Sequence, residues 1–591
     1  MKPIRIALIC NVGFEPFWYP LGISMLKENL ERCTNVHVDN YYLSSEFSWY
    51  IERYYKHLTE INDEIGEDGN CYHEIYFSTK LFNHADPRTL IEKVILDEYN
   101  GKDIYRTRLG ETSNAQKIPR SEKNFVMGVM EYCRLLNSFI DRKVEESNWH
   151  KYQLIGLSCL TSQVLCSAYM AKRIRQVGFR SMIFFGGGMF RDWNVAQYER
   201  LFPFIDRYVV GDGYQAILDA IRTKTNRLKV YSTTRQNHFG DFSDVPRKVS
   251  SSDRFIFPIQ LSDRCPWRKC LFCSIQQGQI RKISAQNVYE WIIKASNDYG
   301  ATDFGFTDCD LNGNIKQFEQ LCSFLSRTDI ELDFCGMLNP RDLTKNLCID
   351  LKSAGFSQVL LGFENFSNSM LSKMKKRNTV MDNIKALKWL VEVDIKDIVF
   401  NIIIDFPGTS KSVIEENLAN IKMIRHLITR SVRCDLVEFD LERDSQMYSP
   451  KRRMDLRDLS NYEFDRICYP DRFRNALKFH ALKYKWFNFV KGWNIVQSAL
   501  KEKRRARLDL VRTKGEFLIQ DYRVGKTTHR LTEEEFVIYK YMCDNVSTID
   551  GISRNTGRNR QQVKRTLEYL LSLGVALKEK NRHLGLALVK N

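Results

Sequence analysis

Leu261-Ser262-Asp263-Arg264-Cys265-Pro266-Trp267-Arg268-Lys269-Cys270-Leu271-Phe272-Cys273 places three thiols on one short stretch, spaced CxxxxCxxC, directly after a predicted strand. Three thiolates on one loop can hold three irons of a [4Fe–4S] cluster and leave the fourth iron open to another ligand. Structural zinc normally takes four ligands. No second CxxC pair completes such a set, and His480 and His529 are isolated and distant in sequence. A disulfide requires an oxidising compartment. Spacing alone therefore favours an iron–sulfur cluster, with zinc or a chance grouping left open.

The loop opens an α/β series that starts near Phe255. Apolar runs predict strands at Ile256–Leu261, Phe304–Thr307, Leu332–Met337, Gln358–Gly362 and Val399–Ile404. Helical spacing lies between them, as in Gln317–Ser326 and Met381–Val391. Such alternation predicts a parallel sheet with outer helices, here a partial barrel. A similar series precedes it, with strands at Ile4–Cys10, Val36–Val38, Leu154–Ser158, Met182–Phe185 and Tyr208–Val210 and helices at Pro20–Glu31 and Ala168–Val177. The last two of these strands run into Gly186-Gly187-Gly188 and Gly211-Asp212-Gly213. This predicts a doubly wound, Rossmann-like sheet, whose ligands bind beyond the carboxyl ends of its strands. A polar, aromatic-rich helical insertion interrupts it at about 43–150. Its Phe47, Trp49, Tyr50, Tyr54 and Tyr55 are read as a helix packing face. The series divides the chain into residues 1–225, a linker 226–254, the cysteine-bearing domain 255–450, a basic extension 451–527 and a small unit 528–591.

In the last unit Thr532 and Glu535 form a capping box. A turn of Ser547–Gly557 follows, then an amphipathic helix Arg560–Leu573 ended by Gly574. A hairpin of Val575–Lys578 and Leu584–Leu588 closes the unit. Helix, helix, helix, hairpin is the order of a winged helix.

The chain has 591 residues. A single core rarely grows past about 300 residues, so two large domains and smaller ones are expected. Hydrophobic residues are 43% and charged residues 27%, as in folded soluble proteins. The longest apolar runs, such as Ile398–Ile404, fall far short of the roughly 18 residues that span a bilayer. Met1–Cys10 reads as a charged start and a strand, not a signal peptide. A cytoplasmic protein with no membrane partner is expected, its cysteines mostly reduced. Net charge is +17, and Lys451–Arg530 alone carries 21 Lys/Arg against 9 Asp/Glu. A solvated surface is preferred there over an anionic partner. Trp486, Phe487, Phe489 and Trp493 lie in the same segment, and core packing is preferred for them over substrate stacking.

The cysteine loop, with Phe272 directly before the third thiol, resembles that of the radical S-adenosylmethionine (SAM) superfamily. The usual spacing there is CxxxCxxC, so this loop has one extra residue. Further segments agree in order. Phe306-Thr307-Asp308-Cys309-Asp310 follows the second strand. Leu361-Gly362-Phe363-Glu364-Asn365 resembles the "GIE" strand, and Met370–Lys376 follows it as in those enzymes. Asn401–Gly408 resembles the "GfPGE" strand end, with Thr409 in place of the acidic residue. The resemblance implies a [4Fe–4S] cluster on Cys265, Cys270 and Cys273. It implies SAM contacts from Phe272, Asp308, Glu364 and Asn401, and an external electron donor. For Glu364 alone, a surface ion pair at a strand end would be the preferred reading.

The N-terminal sheet resembles a cobalamin-binding domain placed before a radical SAM domain. The signals are Leu160-Thr161-Ser162-Gln163, Gly186-Gly187-Gly188 and Gly211-Asp212-Gly213. Small residues at strand ends let a large planar ligand approach the backbone. Thr161 and Ser162 would then donate to its nucleotide tail. The DxHxxG motif, whose His ligates cobalt, is absent. Glu74–Ser78, Ile424–Leu427, Phe517–Arg523 and Arg582–Leu588 resemble segments of the group that matures ribosomally synthesised peptides and is often assigned C-methylation. Two departures stand out: the cysteine loop has only Pro266-Trp267 where that group has a longer, two-Trp spacer, and Glu442-Arg443-Asp444-Ser445 replaces its "RFSP" stretch.

The resemblance thus implies a cobalamin-dependent radical SAM enzyme that C-methylates a peptide at an unactivated carbon, the peptide docking through the winged-helix-like unit. No residue is singled out as a catalytic acid or base. One alternative keeps radical SAM chemistry without methyl transfer, as in cross-linking, epimerisation or rearrangement. Another, from a different class, is a nucleic-acid-binding regulator. It rests on the polar and basic Asn559–Arg565 at the start of the would-be recognition helix, and nucleic acid is the less favoured partner.

Overall fold

The structure is a computed structural model. It describes residues 3–13, 20–59, 61, 72–99, 122–191, 193–211, 213–223, 230–231, 240–244, 255–275, 280, 282–448, 459–460, 467–469, 481–484, 490–501, 506–513 and 515–590. Asp212, His480, Trp486, Phe487, Phe489, most of the linker and much of the basic extension lie outside the described residues.

The first unit is a five-stranded, wholly parallel sheet. Its strands are β1 (Ile4–Cys10), β2 (Val36–Tyr42), β3 (Leu154–Ser158), β4 (Met182–Gly186) and β5 (Arg207–Tyr208), in the order β2-β1-β3-β4-β5. β1 is buried on both faces. Ala7 and Ile9 pack into one core with the insertion helices, while Ile6, Leu8 and Cys10 join the core that continues into the second unit. Two-sided burial explains its unbroken apolar run. β2 runs four residues past its predicted end. In that added stretch Asn40 is buried, with its backbone N–H on Asp244 (2.9 Å) and its side chain on Ile23 O and Tyr42 Oη. Within the insertion, Phe47 is fully buried against Tyr132 and Phe139, whereas Tyr54 is exposed.

The second unit has six parallel strands laid down in sequence order: β6 (Ile256–Ile259), β7 (Asp303–Phe306), β8 (Asp333–Leu338), β9 (Phe356–Glu364), β10 (Asp397–Ile404) and β11 (Val432–Glu438). Sequential parallel order with intervening helices is the arrangement of an open (β/α) barrel. Its helices begin where Ser284, Thr344, Ser367, Thr379 and Ser410 each accept a backbone N–H from the first turn, which satisfies otherwise orphaned donors. Five of the six strands were expected. β11 escapes because its alternation of Val432, Leu436 and Glu438 with polar residues is that of a half-exposed edge.

At the C-terminus, Thr532 and Glu535 form the capping box of helix Glu533–Asp544. The segment read as a turn contains a helix, Ile549–Thr556, capped by Thr548 and ended by Gly557 in the left-handed region. Its turn-like composition hides one anchor, the fully buried Ile552. Helix Arg560–Ser572 and a hairpin of Ala576–Glu579 and Arg582–Gly585 follow. The chain then leaves the hairpin, and Leu588–Lys590 pairs in parallel with Leu508–Thr513. The hairpin is docked on the barrel: Arg582 reaches Asp382 (3.2 Å) and His426 bonds Leu586 O (2.9 Å). No described helix is long and apolar enough to cross a membrane.

Candidate active site

The cysteine loop leaves the end of β6 and is fastened from three sides. Asp308, beyond β7, accepts from Leu261 N (2.9 Å), Ser262 N (2.5 Å) and Ser262 Oγ (2.9 Å). Its carboxylate is thus turned onto the loop that it shapes. Burial pushes it up to about 6, against the pull of these donors. Cys265 Sγ donates to Asp310 Oδ2 at 3.7 Å, while Asp310 Oδ1 is buried without a partner. Gly313 sits so close that a Cβ would meet Pro266 Cγ at 2.5 Å. From the β9 side, Lys375 O accepts from Trp267 Nε1 (2.8 Å) and Met374 O from Leu271 N (3.0 Å). Arg268 lies in the left-handed region at φ 52°, so the longer first spacer turns back within itself.

The three thiols are half-buried. Burial raises all of them, Cys270 to about 12, while Lys376 pulls each back down. The charge of bound metal would favour the thiolates against this burial. Among the described residues, no three His, Cys, Asp or Glu side chains converge on a single ion. A cluster makes no such demand, because each thiolate binds a different iron. The donor set fits a [4Fe–4S] cluster with one iron left open. A further thiol, Cys309, stands on the β7 loop near Cys273 and Cys265, with burial raising it to about 12. A small pocket flanks the loop, lined by Ser262, Arg264, Pro266, Lys282, Leu311 and Gln317 among others. Neither Glu364 nor Asp405 lines it.

Glu364 ends β9 at φ 65°, where the pairing with β10 is irregular. Irregular strand ends of this kind re-aim side chains beside active sites. Buried amides hold the turn: Asn383 Nδ2 donates to Phe363 O and Asn365 O, and Asn417 accepts from Phe366 N and donates to Asn365 Oδ1. Glu364 is buried and paired with Lys376, so its ion pair is not a surface one. Asn401 and Asp435 are register partners on β10 and β11. They lie on the face opposite the buried Phe400 and Ile402, which is the inner face of the barrel. Phe272 packs in a cluster with Met370, Met374 and Phe406. Asp405, at the end of β10, is the site-edge carboxylate that the sequence reading did not single out. It has φ 51° and accepts from the fully buried Trp493 at 3.1 Å.

The glycine-rich loops of the first sheet also meet. Gly187, at φ 100°, has no room for a Cβ, which would lie 2.6 Å from Cys159 O. Cys159 N bonds Gly186 O, and Val209 N bonds Phe185 O, bringing the ends of β3, β4 and β5 side by side with Gly186, Gly187, Gly188 and Gly211. Thr161 and Ser162 follow in the turn after β3. Ser162 Oγ spends its hydrogen on Gly13 O (2.5 Å), and Ser162 O accepts from His73 Nε2 (2.8 Å). His73 and Glu74 come from insertion helix Tyr72–Phe82. Glu74 accepts from Leu165 N (2.7 Å) and Cys166 N (2.8 Å), capping helix Val164–Gln176. The insertion thus braces the switch point between β1 and β3, where ligands of such sheets bind.

Residues 259–420 match the radical SAM superfamily. They begin at the end of β6 and include the three cysteines, Asp308, Glu364 and Asn401. This chain carries a radical SAM domain, and it is an enzyme. Two solved structures of the methyltransferase TsrM from Kitasatospora setae resemble the whole. One, with cobalamin and a [4Fe–4S] cluster bound, is 12% identical over 96% of this chain and 100% of that one, with a TM-score of 0.52. The other, with tryptophan substrate and the SAM analogue aza-SAM, is 12% identical over 86% and 91%, at 0.51. The cobalamin-dependent SAM radical enzyme OxsB, with aqua-cobalamin and SAM bound, is 12% identical over 97% and 71%, at 0.47. No curated protein matches the sequence. The likeness to TsrM is one of fold alone.

Proposed function

We propose that the chain is a cobalamin-dependent radical SAM methyltransferase that modifies a ribosomally synthesised peptide, most specifically by C-methylation. The observation that carries this reading is the pairing of two sites in one chain: a three-cysteine loop at the barrel mouth and glycine-lined strand ends in a preceding parallel sheet. When bound, the cluster with SAM supplies a carbon radical, and cobalamin supplies the methyl group. The protein binds, orients and excludes water. Cys265, Cys270 and Cys273 would hold the cluster, and Asp308 and Asp310 set the loop that presents it. Glu364, Asn401 and Phe272 would receive SAM. Gly186, Gly187, Gly188 and Gly211 would leave space for the corrin, and the backbone around Thr161 and Ser162 would face its tail. The peptide would dock on the C-terminal unit, read as winged-helix-like. Its helix Arg560–Ser572 keeps an exposed face, although Arg560 and Lys564 pair there with Asp550 and Glu568. That balance of charge favours peptide over nucleic acid.

Anaerobic reconstitution with iron, sulfide and hydroxocobalamin tests this. Four irons and one cobalamin per chain are expected, with iron lost in the Cys265→Ala/Cys270→Ala/Cys273→Ala variant. Iron without cobalamin would overturn methyl transfer by this route and leave radical SAM chemistry of another kind.

A further inference from the structure

Residues Glu442–Tyr448 lie between the two candidate cofactor loops and bond to both. On one side stands Asp444. Its Oδ2 accepts from Arg191 Nε at 2.9 Å and its Oδ1 from Trp193 Nε1 at 2.9 Å. Arg191 donates in turn to Gly188 O (2.6 Å) and Phe190 O (3.0 Å). The carboxylate therefore grips the exit of the Gly186–Gly188 turn. On the other side, Gln446 Nε2 donates to Arg268 O (3.0 Å) and Met447 N to Leu271 O (3.0 Å). These two carbonyls lie on either side of Cys270.

The segment between these anchors is itself braced. Ser445 donates through N and Oγ to Glu442 O, at 3.0 and 2.6 Å, and Tyr448 N bonds Ser445 O at 3.1 Å. The Arg443 guanidinium lies 5.6 Å from the Trp193 ring centre and 5.0 Å from that of Tyr448. Met447 and Tyr448 pack in the same cluster as Leu271 and Phe272. A short, internally bonded strap tied at both ends cannot let one loop move without loading the other. An isolated surface ion pair would do nothing of the kind.

We infer that Asp444 is a positioning residue: through the strap Glu442–Tyr448 it holds the Gly186–Gly188 turn in register with the cysteine loop, so that filling either cofactor site favours filling the other. Coupling of this sort is reciprocal by thermodynamic necessity. The inference rests on the reading of these loops as cobalamin and cluster sites. It also gives a role to Glu442-Arg443-Asp444-Ser445, the stretch that departs from the resembled peptide-modifying group.

The test measures hydroxocobalamin affinity by spectral titration of the full chain, iron-loaded and as the triple cysteine variant, with and without Asp444→Ala. Gln446→Ala removes one of the two bonds at the other end of the strap and serves where the first variant fails to fold. The unaltered strap should bind hydroxocobalamin at least about fivefold more tightly with iron than without. That ratio should fall to near one in Asp444→Ala and at least by half in Gln446→Ala, while each still binds. An absent ratio in the unaltered strap, or one that survives both substitutions, overturns the inference. Hydrogen exchange separates this from the functional reading. Iron loading should slow exchange at residues 186–191, and Asp444→Ala should abolish the slowing. If no hydroxocobalamin binds, the cobalamin reading fails, and this exchange comparison still decides the strap: a slowing absent from the start, or unchanged by Asp444→Ala, overturns it.

Discussion

Lys376 Nζ lies 3.1 Å from Glu364 Oε1, with the two side chains 8% and 12% exposed. The pair sits behind the cysteine loop, where Lys376 feels the charge of Cys270. Glu364 is itself in the left-handed region, at a turn braced by the buried Asn365, Asn383 and Asn417. A backbone in that region costs roughly 1–3 kcal/mol, so the surrounding amides hold the carboxylate at this strand end.

Removing either partner separates two roles. Lys376→Met leaves a buried carboxylate without its counter-ion and should lower stability by about 3 kcal/mol, with iron content falling alongside. Glu364→Gln keeps shape and the neighbouring amides. It should retain iron but weaken SAM about tenfold, the loss of one charge-assisted hydrogen bond of ~1.5 kcal/mol. Thermal melts, iron assay and equilibrium dialysis read these out. Unchanged SAM affinity in Glu364→Gln would remove that residue from the SAM site.

Neighbouring glycines of the β4 loop should respond in opposite ways. Gly187→Ala forces a Cβ within 2.6 Å of a backbone oxygen at φ 100°, and should cost about 2 kcal/mol or more. Hydroxocobalamin binding should be lost with it. At Gly188 the nearest atom to an added Cβ is a Leu160 methyl at 3.4 Å, so Gly188→Ala should fold and melt like the parent. Equal melting of the two variants would show that the Cys159 contact does not constrain the loop.

Glu74 makes the first sheet sensitive to pH. Burial pushes this carboxyl from its ordinary 4.5 up to about 8, and the N–H groups of Leu165 and Cys166 only partly offset it. A folded-state value above the unfolded one means that the folded protein holds the proton more tightly. The stability contributed by the neutral form is fully present below about 4.5 and is lost as pH rises through about 8. Glu74→Gln removes that titration. Its melting temperature relative to the parent should therefore rise between pH 5 and pH 9. A difference that stays flat with pH would mean that Glu74 ionises in the fold as it does in water.

The parts legible in the sequence are those that depend on near neighbours. Ile6–Cys10 announces a buried parallel strand because both of its faces are covered, and Ile398–Ile404 because its fully buried Ile398, Phe400, Ile402 and Ile404 share one face. Cys265, Cys270 and Cys273 stand out because a cluster needs its ligands close together on one loop. The contacts that join the two units are not legible this way. Asp444 is 253 residues from Arg191 and 251 from Trp193, and no local pattern marks either partner. The family resemblance implied a SAM contact for Asp308. Its bonds to Leu261 and Ser262 required the register of β6 and β7. His73 was hidden for a similar reason: its partner Ser162 lies across the insertion, 89 residues on.

Trp493 and Asp405 test how the C-terminal extension supports the barrel mouth. Burial pushes Asp405 from its ordinary 3.8 up to about 6, and the indole N–H draws it back. Its Oδ2 has no partner. Trp493→Phe keeps most of the ring packing but removes the donor, leaving both carboxylate oxygens unsatisfied, at a cost of about 1–3 kcal/mol. The neutral acid tolerates this better than the carboxylate. Stability contributed by the neutral form is present below about 3.8 and is lost as pH rises through about 6 in the parent, and at higher pH in the variant. The melting-temperature deficit of Trp493→Phe should accordingly be small at pH 5 and larger at pH 8. Adding Asp405→Asn should make that deficit independent of pH. A deficit that persists unchanged across the range in Trp493→Phe alone would assign it to lost packing and release Asp405 from any dependence on the extension.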